Sequence, residues 1–498
     1  MKIELSQVPR KTGKSMRSFI LILALFIISF AVPTGLWSAE TPQIPGIVPT
    51  PKTLEIKSGL FLPDKELTIR ISPQLARAAR GELDGFSDRL REKQHIEVKI
   101  DQNGDESTPN TTGHAVFVSL RGAGEKGRVD KTVEDGLRQH QEAYAIEITE
   151  KRIEIIGADA EGIRWAFNTL TQFINPDGFP CLKMLDYPGM KIRALHITNF
   201  HEDYEYMTSV IDQAVKLKFN TLFLLINQSR RGGLSLSKHP EILPGAMKGK
   251  YVSQAYAKSV ITYARNKGLR VIPGLPLASK TDQLFGRAHQ NLLMNQETLN
   301  PEDEQAFKIL FDIIDEVAAL FDGEYMYIGG DEVYGYTKKT RQRVPDGVKM
   351  TPEQFAKTVI KINDYLKQKH IRAIMSADML LNPASFPEFK INQSMNGVDG
   401  FDKIIDEIPK DIILLPWHYQ TASELFPTMS YLMGKGFEVI GATWNDAGTI
   451  KNYASFAGGL NPRPLGMMAT TWKEFGDQKK MADILALSAE AYWNSGKK

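Results

Sequence analysis

From Lys191 onward the chain repeats one rhythm: a short apolar run, a loop, then an amphipathic stretch. That repetition constrains the fold more than any other feature. The runs are Arg193–Ile197, Thr221–Ile226, Arg270–Ile272, Tyr325–Ile328, Arg372–Met375, Ile412–Leu415, Val439–Ala442 and Met467–Thr470. Between them, Met207, Val210, Ile211, Ala214 and Leu217 share one face, as do Phe307, Leu310, Phe311, Ile314, Val317 and Phe321. Phe355, Val359, Ile362 and Leu366 form a third such face. Recurrence at three and four residues is the period of an α-helix. Eight strands alternating with helices predict an α/β protein of the (β/α)8 or TIM-barrel type, which needs about 250 residues. A doubly wound sheet has the same periodicity and stays open at this point. The barrel carries a further expectation, that chemistry sits just past the C-terminal ends of the strands.

The preceding segment reads differently. Tyr144, Ile146 and Ile148 alternate with their neighbours and Arg152–Ile156 follows as a second apolar run, the pattern of two hairpin strands. Glu161–Ile174 reads as a helix with Ile163, Ala166, Phe167, Leu170 and Phe173 on one stripe. Ser72–Arg91 is a partner helix, Ala115–Leu120 a strand, and polar Asp101–Thr112 a loop. A small α+β domain over 45–186 is therefore expected ahead of a barrel over 190–498.

Lys2, Arg10, Lys11, Lys14 and Arg17 precede the uncharged run Phe19–Val32, and Trp37-Ser38-Ala39 follows. A basic stretch leading into an apolar one reads as an export signal over 1–40, or as an uncleaved anchor and the chain's one means of membrane attachment. The rest of the chain is then exported, to a periplasm or cell surface. The chain has 61 basic and 59 acidic residues, a net charge of +2, and so no field that points to nucleic acid. A single cysteine, Cys181, excludes an intrachain disulfide and a cysteine metal cluster, and reads as a small buried residue. No His/Cys cluster with ligand spacing and no phosphate-binding glycine loop stands out, so neither a metal nor an organic cofactor is expected.

Directly after Tyr325–Ile328 comes Gly329-Gly330-Asp331-Glu332-Val333. Two glycines let the backbone turn sharply at a strand end, and two adjacent acids then project from the rim. Glycosidases use paired carboxylates, but sequence neighbours cannot easily bracket a sugar from opposite faces. They suit a substrate-assisted route, in which the sugar's own 2-acetamido oxygen attacks the anomeric carbon. On that route Glu332 would protonate the leaving oxygen and later activate water, while Asp331 would hold the acetamido N–H and the positive intermediate. An Asp-Glu pair by itself is more often solvated surface, and the residues alone establish only rim carboxylates. Of six tryptophans, Trp417, Trp444 and Trp472 follow barrel strands, where indole faces can stack on sugar rings. Any one of them could equally fill core; their shared placement favours the rim. Two carry acids nearby, Trp444-Asn445-Asp446 and Trp472-Lys473-Glu474, and ionised oxygens accept strong hydrogen bonds from hydroxyls.

At these residues the chain resembles glycoside hydrolase family 20, the β-N-acetylhexosaminidases. Ile47–Glu55 with Ala143–Phe173 is similar to that family's small domain, and Asp186-Tyr187-Pro188 followed by Arg193 to its barrel entry. Tyr327–Val333 (YIGGDEV) resembles its catalytic signature and Gly466–Glu474 (GMMATTWKE) its last strand. The resemblance implies a retaining, metal-free exo-hydrolase of terminal β-linked GlcNAc or GalNAc, with Asp331 and Glu332 as the catalytic pair. It further implies that Arg193 contacts sugar hydroxyls and that Trp417 and Trp472 wall the acetamido pocket and sugar face. Glu474 would take the distal hydroxyls, and Asp446 and Trp444 further contacts, Trp444 standing where the family usually has Tyr.

The chain departs from the family elsewhere. Val271–Lys280 (VIPGLPLASK) lacks the usual acids and histidine, Leu225-Ile226-Asn227-Gln228 the usual His and Asp. Thr198 replaces an Asp, and Ser376-Ala377-Asp378-Met379 lacks a Trp. Two other readings therefore stay open: a catalytically degenerate carbohydrate-binding protein on the same fold, and a glycosidase for a modified aminosugar. Lys280 would suit an anionic substituent, or is simply a surface lysine. His196 is either a polar rim residue or a satisfied core histidine.

Overall fold

The computed structural model describes residues 46–496, apart from 103–113, 123–129, 199, 227–232, 243–250, 286–287, 296, 334–348, 388, 390–393, 422 and 473–476. The N-terminal segment 1–40, most of the polar loop 101–112, Asn227, Gln228 and Glu474 therefore lie outside the described residues.

Seven strands form the first sheet: β1 (Thr53–Phe61), β2 (Glu66–Arg70), β3 (Glu97–Asp101), β4 (Ala115–Leu120), β5 (Tyr144–Ile148), β6 (Arg152–Gly157) and β7 (Phe179–Asp186). Their order is β1-β7-β5-β6-β4-β2-β3. The β5–β6 hairpin is antiparallel, Tyr144 opposite Gly157, as alternation in the sequence predicts. Helices α1 (Pro73–Ala78), α2 (Arg80–Gln94) and α4 (Ala160–Gln172) bury Leu83, Phe86, Ile163 and Phe167 against one face. Helix α3 (Lys131–Gln139) sets Val133 and Leu137 on the other. Each of α1, α3 and α4 starts at a Ser or Asp side chain that accepts a backbone N–H of its first turn.

The second sheet has eight parallel strands. These are β8 (Ile192–Thr198), β9 (Thr221–Leu225), β12 (Arg270–Gly274), β13 (Tyr325–Tyr327), β14 (Arg372–Ser376), β15 (Ile413–Leu415), β16 (Ile440–Thr443) and β17 (Gly466–Thr471). A two-residue ladder, β10 (Gly233–Leu234) with β11 (Tyr251–Val252), interrupts the connection after β9. Strand β17 pairs with β8, and bridges from Leu414 to Val439 and Trp417 to Ala442 join β15 to β16. The sheet thus closes into a (β/α)8 barrel. Each of the eight apolar runs read from the sequence is one of its strands.

The strands bury both faces. Ile192, Ala194, Phe223, Ile272, Ile374, Ile413 and Met468 fill the barrel interior. Their neighbours Leu195, Ile197, Leu222, Leu224, Val271, Met326, Ala373 and Met467 pack outward on helices including α5 (Tyr204–Lys216), α6 (Gln254–Asn266), α8 (Glu304–Phe321) and α9 (Pro352–Lys367). Among the described residues no helix is long and apolar enough to cross a membrane.

The first sheet and the barrel floor meet around Asp186, which is fully buried. Its Oδ2 accepts from Lys218 Nζ at 2.9 Å and from the Tyr144 hydroxyl at 2.6 Å, and its Oδ1 from Trp493 Nε1 at 2.8 Å. Trp493 ends α12 (Gln478–Trp493) and lies 4.2 Å beneath the Lys218 ammonium. A buried charge so fully paired is tolerated; the same charge alone is not.

Candidate active site

Strand β13 leads into Ile328 and two glycines with left-handed backbone, φ +74° at Gly329 and +93° at Gly330. A side chain at Gly330 would put its Cβ 2.7 Å from Met375 Cγ, so the sharp turn and the close approach both require glycine. The turn delivers Asp331 and Glu332 at the C-terminal end of the fourth barrel strand, where chemistry belongs in this fold. Glu332 itself has φ +48°, and Lys280, after β12, has φ +51°. Each conformation costs about 1–2 kcal/mol for a residue with a Cβ, and such strain gathers at functional sites.

Lys280 joins the two loops. Its Nζ donates to Asp331 Oδ2 at 2.5 Å and to Glu332 Oε2 at 3.0 Å. The Ser279 hydroxyl donates to Asp331 Oδ1 at 3.2 Å and accepts from Gly330 N–H at 2.9 Å. Behind them Asp378 is fully buried. Its Oδ2 accepts from the backbone N–H of Glu332 at 3.0 Å and from Asn396 Nδ2 at 2.7 Å, and its Oδ1 from Trp417 Nε1 at 3.3 Å.

These contacts separate the carboxyls electrostatically. Burial pushes Asp331 up, but the charge and hydrogen bond of Lys280 outweigh it and hold the carboxyl below its ordinary value. Asp378 pairs with no cation among the described residues, and burial together with the negative charge of Asp331 raises it to about 7. Burial also pushes His196 down to about 4 despite the charge of Asp331, so its imidazole is neutral at physiological pH.

The carboxylates open into a cavity of about 250 Å³ lined by Lys280, Asp331, Glu332, His196, Phe223, Tyr327, Ser376, Leu415, Trp417, Tyr419, Met468, Thr470 and Trp472. Trp417 and Tyr419 rings lie 4.8 Å apart, and Trp472 Nε1 donates to the Tyr419 hydroxyl at 3.2 Å. The lining combines the charged trio with aromatic rings, aliphatic Leu415 and Met468 and the hydroxyls of Ser376 and Thr470, the mixture that orients a polar ligand while burying its apolar faces.

Of the residues the sequence nominated, Asp331, Glu332, Trp417 and Trp472 come together here. Arg193 does not, and the expectation that it contacts sugar hydroxyls is corrected. It sits near the start of β8 on the outward parity with Leu195 and Ile197, 2% exposed, and bonds to Glu142 Oε2 at 2.7 Å and Met190 O at 2.8 Å. His196, of the opposite parity, lines the cavity instead, and its Nδ1 is buried with no hydrogen-bond partner among the described residues.

Trp444 stands one layer out, edge-on to Tyr419 at 5.7 Å. Asp446 caps α11 (Ala447–Gly459), its Oδ1 accepting from Thr449 N–H at 2.7 Å, and neither residue lines the cavity. Thr198 donates to Thr471 O at 3.0 Å within the barrel wall. Lys280 is neither a surface lysine nor free for an anionic substituent, because the carboxylates of Asp331 and Glu332 occupy it.

Sequence reasoning passed over Ser279 and the role of Asp378; the one signal for Asp378 is that it follows a barrel strand as Asp331 does. The described residues also include a group with metal-ligand geometry, His239, Glu241 and His289, none of which lines the cavity. Spacing hid it, since His289 is 48 residues from Glu241.

A parallel barrel with two acids at the end of its fourth strand, inside an aromatic-walled cavity, has the build of a glycoside hydrolase. The particular kind follows from comparison with known families. The models "Glycosyl hydrolase family 20, domain 2" and "Glycosyl hydrolase family 20, catalytic domain" match residues 44–193 and 198–495. The chain belongs to glycoside hydrolase family 20.

Among similar proteins, a β-hexosaminidase of Porphyromonas gingivalis is 22% identical over 73% of this chain and 49% of its own length. One of Vibrio furnissii is 22% identical over 59% and 51%. The chain thus spans about half the length of these curated relatives. A β-N-acetylhexosaminidase structure from Bacteroides fragilis superposes with a TM-score of 0.63 at 20% identity, covering 92% of each chain. A Flavobacterium johnsoniae chitobiase gives 0.65 at 18%, covering 91% of this chain and 69% of that one. At such identities the structures speak for the fold.

Proposed function

We propose that the chain is a retaining exo-β-N-acetylhexosaminidase that removes terminal β-linked GlcNAc or GalNAc by substrate-assisted catalysis. One observation carries this reading: a single ammonium, Lys280, touches both Asp331 and Glu332. The two carboxyls are sequence neighbours on one turn and share one cation, so they reach a ligand from the same wall of the cavity, an arrangement that suits a nucleophile supplied by the substrate itself. Glu332, 41% exposed at the cavity, serves as acid and then base toward the glycosidic oxygen and water. Asp331, held ionised, accepts the acetamido N–H and stabilises the cationic ring. The cavity of about 250 Å³ lies below the roughly 300–1,000 Å³ of drug-sized ligand clefts, which suits one terminal sugar. The names of the relatives agree with this activity.

The test is hydrolysis of a chromogenic β-GlcNAc by the chain, beside Glu332→Gln and Asp331→Asn. Loss of about 10²–10⁴-fold in kcat in Glu332→Gln is expected, with a comparable loss in Asp331→Asn. Turnover indifferent to both variants would sink the assignment. A second reading, a carbohydrate-binding protein on the same fold, is favoured by Lys280 itself, since binding needs held carboxylates and not a mobile proton. Absence of turnover with retained GlcNAc binding would select it. The basic N-terminal segment before Phe19–Val32 supports export to a periplasm or cell surface, which fractionation of the source cells tests.

A further inference from the structure

On the wall of the barrel, two loops that come from different strands bring three ligand-type side chains to one point. His239 and Glu241 lie on the connection after β9, and His289 on the connection after β12. His239 Nδ1 stands 3.1 Å from Glu241 Oε1, and His289 Nε2 stands 2.9 Å from the same oxygen. The three ligand atoms all lie within 4.8 Å of one another.

The outer contacts decide how this group is read. The other nitrogen of His239, Nε2, lies 3.3 Å from Asp312 Oδ2 on α8. Carboxylates flank both ring nitrogens, and in the tautomer that donates Nε2–H to Asp312 the Nδ1 lone pair faces Glu241 and is free to ligate. That contact is repulsive until a proton or a metal ion lies between the two atoms, and a metal ion satisfies His239, Glu241 and His289 at once. A carboxylate behind a histidine whose far nitrogen faces other ligands is the arrangement that orients metal-binding imidazoles.

Lys238 Nζ fixes Asp312 through its second oxygen at 2.9 Å, and Phe285 meets the His289 ring edge-on at 6.1 Å. Tetrahedral zinc with ligands at about 2.0–2.2 Å keeps them roughly 3.3–3.5 Å apart, so the 2.9 and 3.1 Å gaps need open by only a few tenths of an ångström. His239 and His289 are 15% and 21% exposed, and Glu241 is 45% exposed, which leaves the fourth position to water.

We propose that His239, Glu241 and His289 bind a divalent cation of the zinc class, with Asp312 orienting His239, and that the ion clamps the loop after β9 to the loop after β12. Two imidazoles and one carboxylate are a donor set zinc accepts, whereas calcium and magnesium prefer all-oxygen sites. The ion's role is structural, because none of the three residues lines the cavity. The connection after β12 carries Lys280 as well as His289, so the clamp fixes the far end of the segment that supplies the cation shared by Asp331 and Glu332.

The experiment uses the untagged chain, stripped with a chelator and titrated with zinc chloride by calorimetry, with bound metal counted by elemental analysis. One zinc per chain and a higher thermal midpoint in its presence are expected, with binding lost in both His289→Ala and Glu241→Gln. Asp312→Asn is expected to weaken zinc about 10–100-fold while leaving the ligands in place. Far-UV circular dichroism of each zinc-free variant shows that it is folded, so a loss of binding is not a loss of structure. No stoichiometric zinc on the parent chain, or zinc kept by the folded variants, overturns the site. Zinc bound without any change in the midpoint overturns the clamp.

Discussion

Lys280 Nζ lies 2.5 Å from Oδ2 of Asp331, closing an ion pair between the loops after the third and fourth barrel strands. The pair explains how a carboxyl in an enclosed cavity stays ionised, since burial works against the charge and Lys280 restores it. The lysine's own elevated proton affinity is the other side of the same contact: burial lowers it, and Asp331 and Glu332 more than make up the loss.

Lys280→Met is therefore expected to do two things. The support of Asp331 goes, and kcat/KM falls by about 10–100-fold, as when an orienting partner is removed. The Asp331 carboxyl then titrates at higher pH, because burial is no longer countered by the ammonium. In the proposed mechanism the ionised form is the working one, so the acid limb of the pH profile moves upward. A pH series of kcat/KM reads this directly. An equal loss with an unmoved acid limb would show that Lys280 only shapes the cavity.

Asp378 makes the opposite prediction. Its carboxyl, raised by burial and by Asp331 to about 7, binds its proton more tightly folded than unfolded. Stability is then lost as pH rises from about 4 to about 7, by an upper bound on the order of 4 kcal/mol. Asp378→Asn removes that slope, and its melting temperature should change less than the parent's between those pH values. The variant also weakens the hold on Glu332 N–H, so its activity falls even where its stability rises.

The difference between what could and could not be read in advance lies in the barrel's two buried faces. Parallel strands covered on both sides carry no alternation of polar and apolar residues. The eight runs were therefore legible as strands, while the direction of any one side chain was not. Arg193 and His196 differ in parity, and nothing in Ile192–Thr198, which is buried on both faces and carries a polar residue on each, says which parity looks inward.

Gly329-Gly330 was legible because only glycine meets that backbone, and it marked Asp331 and Glu332. Lys280 lies 51 residues from Asp331, and Asp378 meets Glu332 only through a backbone N–H 46 residues away. Such pairings belong to barrel closure, which brings successive strand ends side by side.

Trp472 tests the aromatic wall. Its ring lies 4.6 Å from His196, and its indole N–H holds Tyr419. On the proposed activity, Trp472→Ala removes a face that buries sugar in ground state and transition state alike. At about 1.5–3 kcal/mol for an aromatic side chain, KM should rise roughly 10–100-fold with a smaller change in kcat. A fall confined to kcat would place Trp472 in the chemistry and not in binding.

The junction of the first sheet with the barrel floor rests on Asp186 and Lys218, both fully buried and 2.9 Å apart. Lys218→Met leaves Asp186 charged among Tyr144 and Trp493, whose hydrogen bonds offset part of the missing cation. A loss of about 3–5 kcal/mol is expected, the usual penalty for orphaning a buried charge. Asp186→Asn combined with Lys218→Met removes both charges and should recover much of it, since a neutral pair has no ion to desolvate. Urea unfolding of the two single variants and the double variant gives the coupling between the sites. Strict additivity would mean that the two ions do not depend on each other, and that the floor is held by apolar packing around Trp165 and Trp493 alone.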